Sequence, residues 1–266
     1  MKLGVIQGRL SPPVEGFQEC PVNWRREFHF LDVLNLNHIE WIITKNSFDV
    51  NPALVDTQSL KNLKISSICC DHLVDDKIDE LSFLEAKLVP ICLAAEKCGV
   101  STIGIPLLEA SAVEEKRKRK NFIESIQKIH LMFPNLTFSF EAELKAEEIL
   151  EIVSVNKKFT ITYDTGNITS HCGPMSHNTY IIDVFSKIDI VHLKDRVYDG
   201  SCWKTVFPTT GHTNFKIIFQ LLKNLGYSGY YTLQTARNLD GLEIETIKYH
   251  KLILEKIYND ANIVYV

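Results

Sequence analysis

Three residues of types that hold divalent metal ions stand at the ends of short apolar runs in the sequence. They are Glu141, Asp164 and His192. Two carboxylates and an imidazole form a donor set that suits Mn²⁺, Mg²⁺, Co²⁺ or Zn²⁺. Gln234 closes a later run and offers a neutral amide oxygen as a fourth ligand. The residue types alone therefore indicate a site for one divalent metal ion.

The same residues also have structural interpretations. Glu141 can form an ion pair with Lys194, and His192 can be a hydrogen-bonded core residue. Asp164 precedes Thr165-Gly166-Asn167 and can hold a turn there. Polar side chains at the ends of apolar strands are costly to bury unless they pair or bind something. The residues by themselves leave metal binding and internal pairing open.

The elements that carry these residues alternate along the chain. Short β-branched runs have the length of buried parallel strands. Longer stretches between them repeat apolar residues at helical spacing, as at Leu84, Leu88, Ile91 and Ala95. We predict eight strands, at Leu3–Ile6, His38–Trp41, Ile65–Cys70, Thr102–Ile105, Thr137–Phe140, Phe159–Tyr163, Ile188–Leu193 and Tyr230–Leu233.

The even repeat of strand and helix predicts an α/β fold, a single (β/α)8 TIM barrel over residues 1–266. An open doubly wound sheet is the alternative, but it rarely repeats so evenly, and a barrel typically needs about 250 residues. No linker or change of composition divides the chain. Three long irregular stretches each follow a strand, and we expect them at the C-terminal face, where barrel active sites form: Ser11–Asn23, Gly166–His177 and Arg196–Thr213.

Composition excludes several classes of function. The formal net charge of −4 gives no basic field, so we expect no nucleic-acid partner. We interpret the basic run Glu114–Lys120 as a solvated helix face and not as a nucleic-acid patch. No apolar stretch approaches 18 residues, and the first apolar run is too short for a signal peptide. The seven cysteines are odd in number and lack a C-x-x-C pair, as is typical of reduced proteins, so we expect a cytoplasmic protein without a membrane partner.

The sequence resembles the xylose-isomerase-like TIM barrel superfamily, the sugar phosphate isomerase/epimerase group. The resemblance covers nearly the whole chain. Its most specific blocks, Asp-Thr-Gly-Asn and His-Leu-Lys-Asp, occur in this order on the sixth and seventh predicted strands. The segments that carry it are Gly4–Arg9, Ile39–Trp41, Phe140–Glu141, Tyr163–Asn167, Val191–Asp195 and Gly226–Tyr230.

The resemblance implies one divalent metal ion, held by a Glu, an Asp, a His and a Glu on strands five to eight. Glu141, Asp164 and His192 match the first three positions, whereas Gln234 stands at the fourth. Because glutamine brings no charge, we expect a weakly held metal. The endonuclease branch of the superfamily needs further histidine ligands, and Asn167 stands where that branch has one.

The resemblance also implies a sugar or sugar-phosphate isomerase or epimerase, which abstracts a proton next to a carbonyl with help from the metal. In the family's epimerases two glutamates remove and return this proton, and Gln234 cannot take up a proton at neutral pH. The catalytic positions are Glu141, Gln234 and Lys194, with Glu141 as the single base and Lys194 or His72 completing a relay. The alternatives are a metal-independent dehydratase or lyase, and an altered or inactive barrel that binds carbohydrate.

Further residues near the strand ends are candidates for binding a small-molecule sugar or sugar phosphate. Arginine side chains there can hold a phosphate, a carboxylate or sugar hydroxyls. The alternative is that some of them pair with Asp195 or Glu40. Barrels of this family are often dimers or tetramers, which implies a homo-oligomer. The substrate-binding candidates are Arg9, Glu40, His72, Asn167, Arg196 and Arg237.

Overall fold

A computed structural model describes residues 1–14 and 18–261, and within them eight parallel strands form a closed barrel. The strands follow one another around the barrel in the order β1, β10, β7, β6, β5, β4, β3, β2. Two further strands form an antiparallel hairpin outside the barrel. The strands are β1 (Lys2–Ile6), β2 (Ile39–Ile42), β3 (Ile65–Cys69), β4 (Thr102–Leu107), β5 (Thr137–Ala142), β6 (Phe159–Asp164), β7 (Ile188–Leu193), β8 (Asp195–Tyr198), β9 (Trp203–Val206) and β10 (Tyr230–Leu233).

Helices surround the barrel, and the predicted (β/α)8 TIM barrel is confirmed. The eight predicted strands all form, with ends that differ from the prediction by two residues or fewer. None of the helices in the described ranges combines the length and apolar character needed to cross a membrane. The helices are α1 (Trp24–Val33), α2 (Pro52–Val55), α3 (Leu81–Lys87), α4 (Val89–Cys98), α5 (Lys116–Met132), α6 (Ala146–Val153), α7 (Thr165–His171), α8 (His177–Val184), α9 (Phe215–Asn224) and α10 (Glu243–Asp260).

The main hydrophobic core lies between the outer faces of the strands and the helices. Phe122, Ile126 and Ile129 of α5 are fully buried in it. Trp41 of β2 packs edge-on against Trp24 of α1, with ring centroids 5.2 Å apart. Such burial of large apolar side chains is the dominant stabilising contribution to a fold of this size.

The inside of the barrel is unusually polar. Strand register places Gly4, Thr232, His192 and Asp164 in one row across four neighbouring strands. His38 contacts Thr232, with 3.1 Å between Nε2 and Oγ1. A Cβ on Gly4 would lie 2.4 Å from the His38 ring, so only glycine leaves room for this histidine. A small apolar cluster of Ile6, Ile42 and Cys69 is separate from the main core. A polar column therefore runs up the barrel towards its C-terminal end.

Two of the predicted irregular stretches contain regular structure. Asp164 accepts a hydrogen bond from the Asn167 backbone N–H at 2.8 Å and so caps α7 (Thr165–His171), which overlaps the stretch 166–177. In 196–213, β8 and β9 pair across a turn at Asp199-Gly200, where Asp199 accepts from the backbone N–H of Ser201. Composition pointed to a loop in both places because short polar residues favour turns as well as helix starts.

The basic run does start a helix, but it is not wholly solvated. Arg119 is buried on α5, and its guanidinium lies 2.8 Å from Glu151 and 3.4 Å from Glu148 of α6. These contacts tie two neighbouring helices together. The predicted solvated face is therefore wrong at Arg119, where a buried charge is compensated by two carboxylates.

Candidate active site

A cavity of about 1170 Å³ opens at the C-terminal end of the barrel. Its wall is built by residues that follow the barrel strands, together with the β8–β9 hairpin. Five of the predicted site residues line it: Glu141, Lys194, Arg196, Gln234 and Arg237. The cavity thus lies at the C-terminal end of the barrel, where the sequence analysis expected the site.

Glu141 lines this cavity and converges with Asp164 and His192, and all three side chains are buried. His192 Nδ1 lies 3.2 Å from Glu141 Oε2 and 3.9 Å from Asp164 Oδ2. Metal–ligand bonds of about 2.0–2.2 Å place two ligands of one ion at most ~4.4 Å apart. Both distances meet this limit, and all three ligand atoms lie within 4.8 Å of one another, so a small adjustment of the side chains would let them hold one divalent ion.

Glu40 fixes the orientation of the His192 ring. The distance from His192 Nε2 to Glu40 Oε2 is 2.8 Å, and both side chains are 1% exposed. His192 Nδ1 is buried without a hydrogen-bond partner among the described residues. A carboxylate that holds one imidazole nitrogen, while the other faces further carboxylates, is the usual arrangement behind a metal-bound histidine.

Each residue of the Asp-Thr-Gly-Asn block has a distinct task. Asp164 contributes Oδ2 to the convergence and caps α7 with Oδ1. The Thr165 hydroxyl donates to the backbone carbonyl of Lys194 at 2.7 Å. Gly166 leaves room for the Lys194 side chain, because a Cβ there would lie 2.8 Å from Lys194 Cγ. Asn167 donates through Nδ2 to Glu141 Oε1 at 2.7 Å and so orients that carboxylate.

The His-Leu-Lys-Asp block supplies the opposite side of the convergence. Lys194 Nζ lies 2.8 Å from Asp164 Oδ2, a contact that the sequence analysis did not consider, and 3.9 Å from Glu141 Oε1, the partner that it did consider. Asp195 accepts hydrogen bonds from the backbone N–H groups of Gly211 and Thr213. The block thus places the Lys194 ammonium beside the carboxylates, and Asp195 anchors the segment that contains Gly211 and Thr213.

The electrostatics of the buried groups favour a cation. Burial alone would lower the pKa of His192, but the charges of Glu40 and Glu141 outweigh it and raise that pKa well above its usual value. Burial would raise the pKa of Asp164, but the Lys194 ammonium and His192 hold it below its usual value. Three buried carboxylates are thus opposed by Lys194 and one imidazolium. A divalent ion in place of the imidazolium proton would balance the charge of the whole cluster, which a buried site requires.

Gln234 follows β10 and lines the same cavity. Its backbone N–H donates to the Leu193 carbonyl at 3.2 Å, which fixes this strand end beside β7. Its side-chain Oε1 is buried and accepts no hydrogen bond from any residue that the structure describes. An unsatisfied amide oxygen at this position is available to an incoming ligand.

Arg196 and Arg237 are the substrate-binding candidates that reach the cavity. Arg196 Nη1 contacts Glu143 Oε1 at 3.2 Å and Ser170 Oγ at 2.8 Å. Arg237 donates through Nη1 to the Ser11 carbonyl, while its Nε and Nη2 are buried without hydrogen-bond partners in the described part of the chain. A Cβ on Gly8 would lie 3.2 Å from Arg237 Nη2, so glycine there gives the guanidinium its space.

The other four candidates lie behind the cavity wall. Glu40 contacts His192 and Asn167 donates to Glu141, so both support side chains of the Glu141–Asp164–His192 group. Arg9 is buried, and its Nε donates to the Thr235 carbonyl at 3.2 Å. Both ring nitrogens of His72 face backbone carbonyls, those of Ile43 and Lys87. A direct substrate contact for these four residues stays a prediction.

The sequence analysis missed several charged residues of the cavity wall. They lie after β1, β2, β3 and β4, mostly in turns where no strand periodicity indicates which side chain faces inward. Asp71 stands with His72 at the polar end of the third predicted strand, and His72 was selected as the candidate in its place. The missed residues are Glu19, Lys45, Asp71 and Glu109.

The sequence profile of the family described as xylose isomerase-like TIM barrel matches residues 56–251, which is more than half of the chain. The protein belongs to the xylose isomerase-like TIM barrel family. The resemblance stated from the sequence is thereby confirmed. Among curated proteins, no sequence matches the chain significantly.

Solved structures with this family's fold include sugar epimerases. An L-ribulose 3-epimerase superposes with a TM-score of 0.73 at 14% identity, over 97% of this chain and 95% of the other. D-psicose 3-epimerase from Clostridium cellulolyticum H10, solved with D-tagatose, gives a TM-score of 0.72 at 12% identity, over 99% and 100%. The IOLI protein, solved with a zinc atom, gives 0.72 at 14% identity, over 97% and 99%. At these identities the likeness establishes the fold.

Proposed function

We propose that the protein is a sugar or sugar-phosphate isomerase or epimerase, which removes a proton next to the substrate carbonyl with the help of one divalent metal ion. The observation that carries this proposal is the orientation of His192. Its Nε2 is held by Glu40, and its Nδ1 faces Glu141 and Asp164. This arrangement is suited to a metal ligand at the floor of a substrate-sized cavity.

Glu141, Asp164 and His192 would hold the metal, and Gln234 would offer a neutral oxygen. Their oxygen and nitrogen donors suit Mn²⁺, Mg²⁺, Co²⁺ or Zn²⁺. When bound, such an ion polarises a carbonyl and stabilises the enediolate that forms when the neighbouring carbon loses its proton. Because Gln234 adds no negative charge, we expect the ion to be held weakly.

Glu141 is the residue that we assign to proton removal. Its carboxylate lies on the cavity wall and is oriented by the Asn167 amide. Lys194 keeps an ammonium within 3.9 Å of Glu141 Oε1, and a cation so close stabilises negative charge that develops on a substrate oxygen. Gln234 cannot exchange protons, so its contribution is a hydrogen bond or a metal contact.

A second candidate function follows from the ion pair between Lys194 and Asp164. At 2.8 Å, the ammonium is within hydrogen-bond distance of an oxygen assigned to the metal. In a metal-independent dehydratase or lyase, this ammonium would itself stabilise the enolate oxygen of the substrate. A carbohydrate-binding protein on the same scaffold would use the cavity without any proton transfer.

One experiment separates these functions. Protein purified without chelators is loaded with Mn²⁺, Mg²⁺, Co²⁺ or Zn²⁺, and metal content is measured by mass spectrometry. The loaded and metal-free forms are then incubated in D₂O with C5 and C6 ketoses, with and without a terminal phosphate. We expect deuterium at the carbon next to the carbonyl, with wild-type and Glu147→Gln protein but not with Glu141→Gln.

The outcomes have different consequences. Glu147 is exposed on α6, so its variant controls for removal of a carboxylate. Deuterium exchange at the same rate with metal-loaded and metal-free protein would favour the metal-independent function. Binding of sugars without any deuterium exchange would contradict the enzyme proposal and favour the carbohydrate-binding function.

A further inference from the structure

Lys194 places a positive charge among the residues that would hold the metal. Its Nζ lies 2.8 Å from Asp164 Oδ2, and that same oxygen lies 3.9 Å from His192 Nδ1. The other oxygen of Asp164, Oδ1, accepts a hydrogen bond from the Asn167 backbone N–H at the start of α7. The ammonium and a metal ion would therefore bind the same carboxylate oxygen, Oδ2.

The contact between Lys194 and Asp164 leaves that oxygen unsatisfied. Asp164 Oδ2 is buried and has no hydrogen-bond partner among the described residues, although Lys194 Nζ is close. His192 Nδ1 is buried and lacks a partner in the same part of the chain. A buried polar atom without a hydrogen bond costs free energy, and a bond to a metal ion would remove that cost. Both atoms are thus open to a metal ion while the ammonium stands beside them.

The backbone of Lys194 is fixed, whereas its side chain has room to move. The Thr165 hydroxyl accepts from the Lys194 backbone N–H at 2.9 Å and donates to the Lys194 carbonyl at 2.7 Å. The side chain passes beside Gly166, where a Cβ would lie 2.8–3.0 Å from three of its carbon atoms. Lys194 also lines the cavity of about 1170 Å³. Rotation about its side-chain bonds can therefore carry the ammonium from Asp164 into the cavity without a change in the backbone.

We infer that Lys194 sets the metal affinity of the site: its ammonium occupies Asp164 Oδ2 in the metal-free protein, and a divalent ion displaces it into the cavity. This inference rests on the proposed function, which assigns one ion to Glu141, Asp164 and His192. Two cations that share an oxygen in a buried site repel each other strongly. The site therefore holds its ion less tightly than the three ligands alone would, for a reason separate from the neutral Gln234.

Displacement also gives the ammonium a new partner. An ammonium has three N–H donors, which suit carbonyl, hydroxyl and phosphate oxygens of a substrate. In the metal-free protein, Asp164 holds this group. Metal binding thus makes the Lys194 donors available in the cavity at the same time as the metal, so that a substrate meets both together.

Metal affinity tests this inference without a measurement of catalysis. Wild-type, Lys194→Met, Lys194→Gln and Lys204→Met proteins are titrated with Mn²⁺, and free Mn²⁺ is measured by electron paramagnetic resonance. Methionine and glutamine keep much of the length of the lysine side chain but carry no charge. Lys204 lines the same cavity with 60% of its side chain exposed, so its variant controls for the loss of one positive charge.

We expect both Lys194 variants to bind Mn²⁺ at least about 10-fold more tightly than the wild-type protein, because the competing charge is gone. Lys204→Met should change the affinity by less than about twofold, since solvent and salt screen an exposed charge. Melting temperatures of the same samples show whether the variants are folded. An unchanged Mn²⁺ affinity in folded Lys194 variants would overturn the role of Lys194 and leave the proposed metal enzyme intact.

A crystal structure of the Mn²⁺-loaded wild-type protein tests the displacement itself and needs no variant. We expect the ion on Asp164 Oδ2, with Lys194 Nζ in the cavity and beyond hydrogen-bond distance of that oxygen. An ion bound with Nζ still beside Oδ2 would overturn the inference. Failure of the wild-type protein and of both folded Lys194 variants to bind Mn²⁺ would remove this inference together with the metal of the proposed function.

Discussion

His192 Nε2 lies 2.8 Å from Glu40 Oε2, and this contact decides which ring nitrogen faces the carboxylates of the site. In a neutral imidazole, the N–H on Nε2 donates to Glu40 and Nδ1 keeps its lone pair for a metal. Both side chains are inside the barrel, below the cavity. The sequence predicted a substrate contact for Glu40, and the structure shows its carboxylate in contact with the His192 ring.

Glu40→Gln is expected to weaken metal binding by about 10- to 100-fold, the usual effect of losing a supporting carboxylate. Glutamine still accepts the hydrogen bond from Nε2 but no longer carries the charge that makes the imidazole a better ligand. Titration of Mn²⁺ by electron paramagnetic resonance measures the affinity, with Glu147→Gln as control. Equal affinity in both variants would show that Glu40 does not act through the metal.

The sequence predicted the barrel and the core of the site for one reason. Strands buried on both faces are apolar, so a polar residue such as Glu141 or His192 at a strand end stands out. The sequence did not identify the cavity-facing residues beyond the ends of the strands, because side chains there no longer alternate between two faces. Beyond Cys70 the chain enters a 3₁₀ turn, and alternation no longer shows that Asp71 faces the cavity while His72 packs against backbone carbonyls. Local composition could not reveal the β8–β9 hairpin either, because its pairing depends on contacts across the turn.

Gln234→Glu is expected to tighten metal binding by at least about 10-fold, because a carboxylate adds the charge that the amide lacks. The buried Oε1 of Gln234 has no hydrogen-bond partner in the described ranges, so the site has room for a ligand at this position. Isothermal titration with Mn²⁺ and Zn²⁺ compares the variant with wild-type protein. An unchanged affinity would mean that residue 234 does not face the metal.

Gly166→Ala is expected to destabilise the fold by about 1 to 3 kcal/mol, the usual cost of overpacking a buried site. The added methyl group would lie 2.8–3.0 Å from three carbon atoms of Lys194. Urea unfolding measures the change. In a Lys194→Ala background the cost should become smaller, since the two nearest carbon atoms, Cγ and Cδ, are removed while Cβ remains. An equal loss of stability in both backgrounds would show that the destabilisation arises within α7 and not from contact with Lys194.

Glu27 is expected to make stability depend on pH. Burial raises its pKa from 4.5 to about 7, against the backbone N–H groups of Gly8 and Leu10, which donate to the carboxylate. The folded state therefore holds the proton that the unfolded state loses above pH 4.5. Stability from this group is highest below pH 4.5 and falls as pH rises to about 7, by an amount on the order of 3 kcal/mol.

Glu27→Gln removes this dependence, because glutamine does not titrate. The difference in unfolding free energy between wild-type and variant proteins, measured in urea between pH 4.5 and 8, should shift in favour of the variant as pH rises. Glu147→Gln, at an exposed site, serves as the control and should leave the curve parallel to that of the wild type. A difference that stays constant with pH would show that Glu27 is ionised throughout this range.

Arg237→Met is expected to raise KM selectively for anionic substrates. The guanidinium lines the cavity, and its Nε and Nη2 donors lack hydrogen-bond partners in the described chain, although Glu19 lies 3.6 Å from Nη2. Donors of this kind bind a phosphate or carboxylate oxygen with charge-assisted hydrogen bonds worth about 1.5–3 kcal/mol each. The loss should therefore raise KM for a phosphorylated ketose by roughly 10- to 100-fold while changing the unphosphorylated ketose little. Arg117→Met, on the exposed face of α5, controls for the loss of one positive charge. An equal change for both substrates would assign Arg237 to the architecture of the β10 loop, where it holds the Ser11 carbonyl.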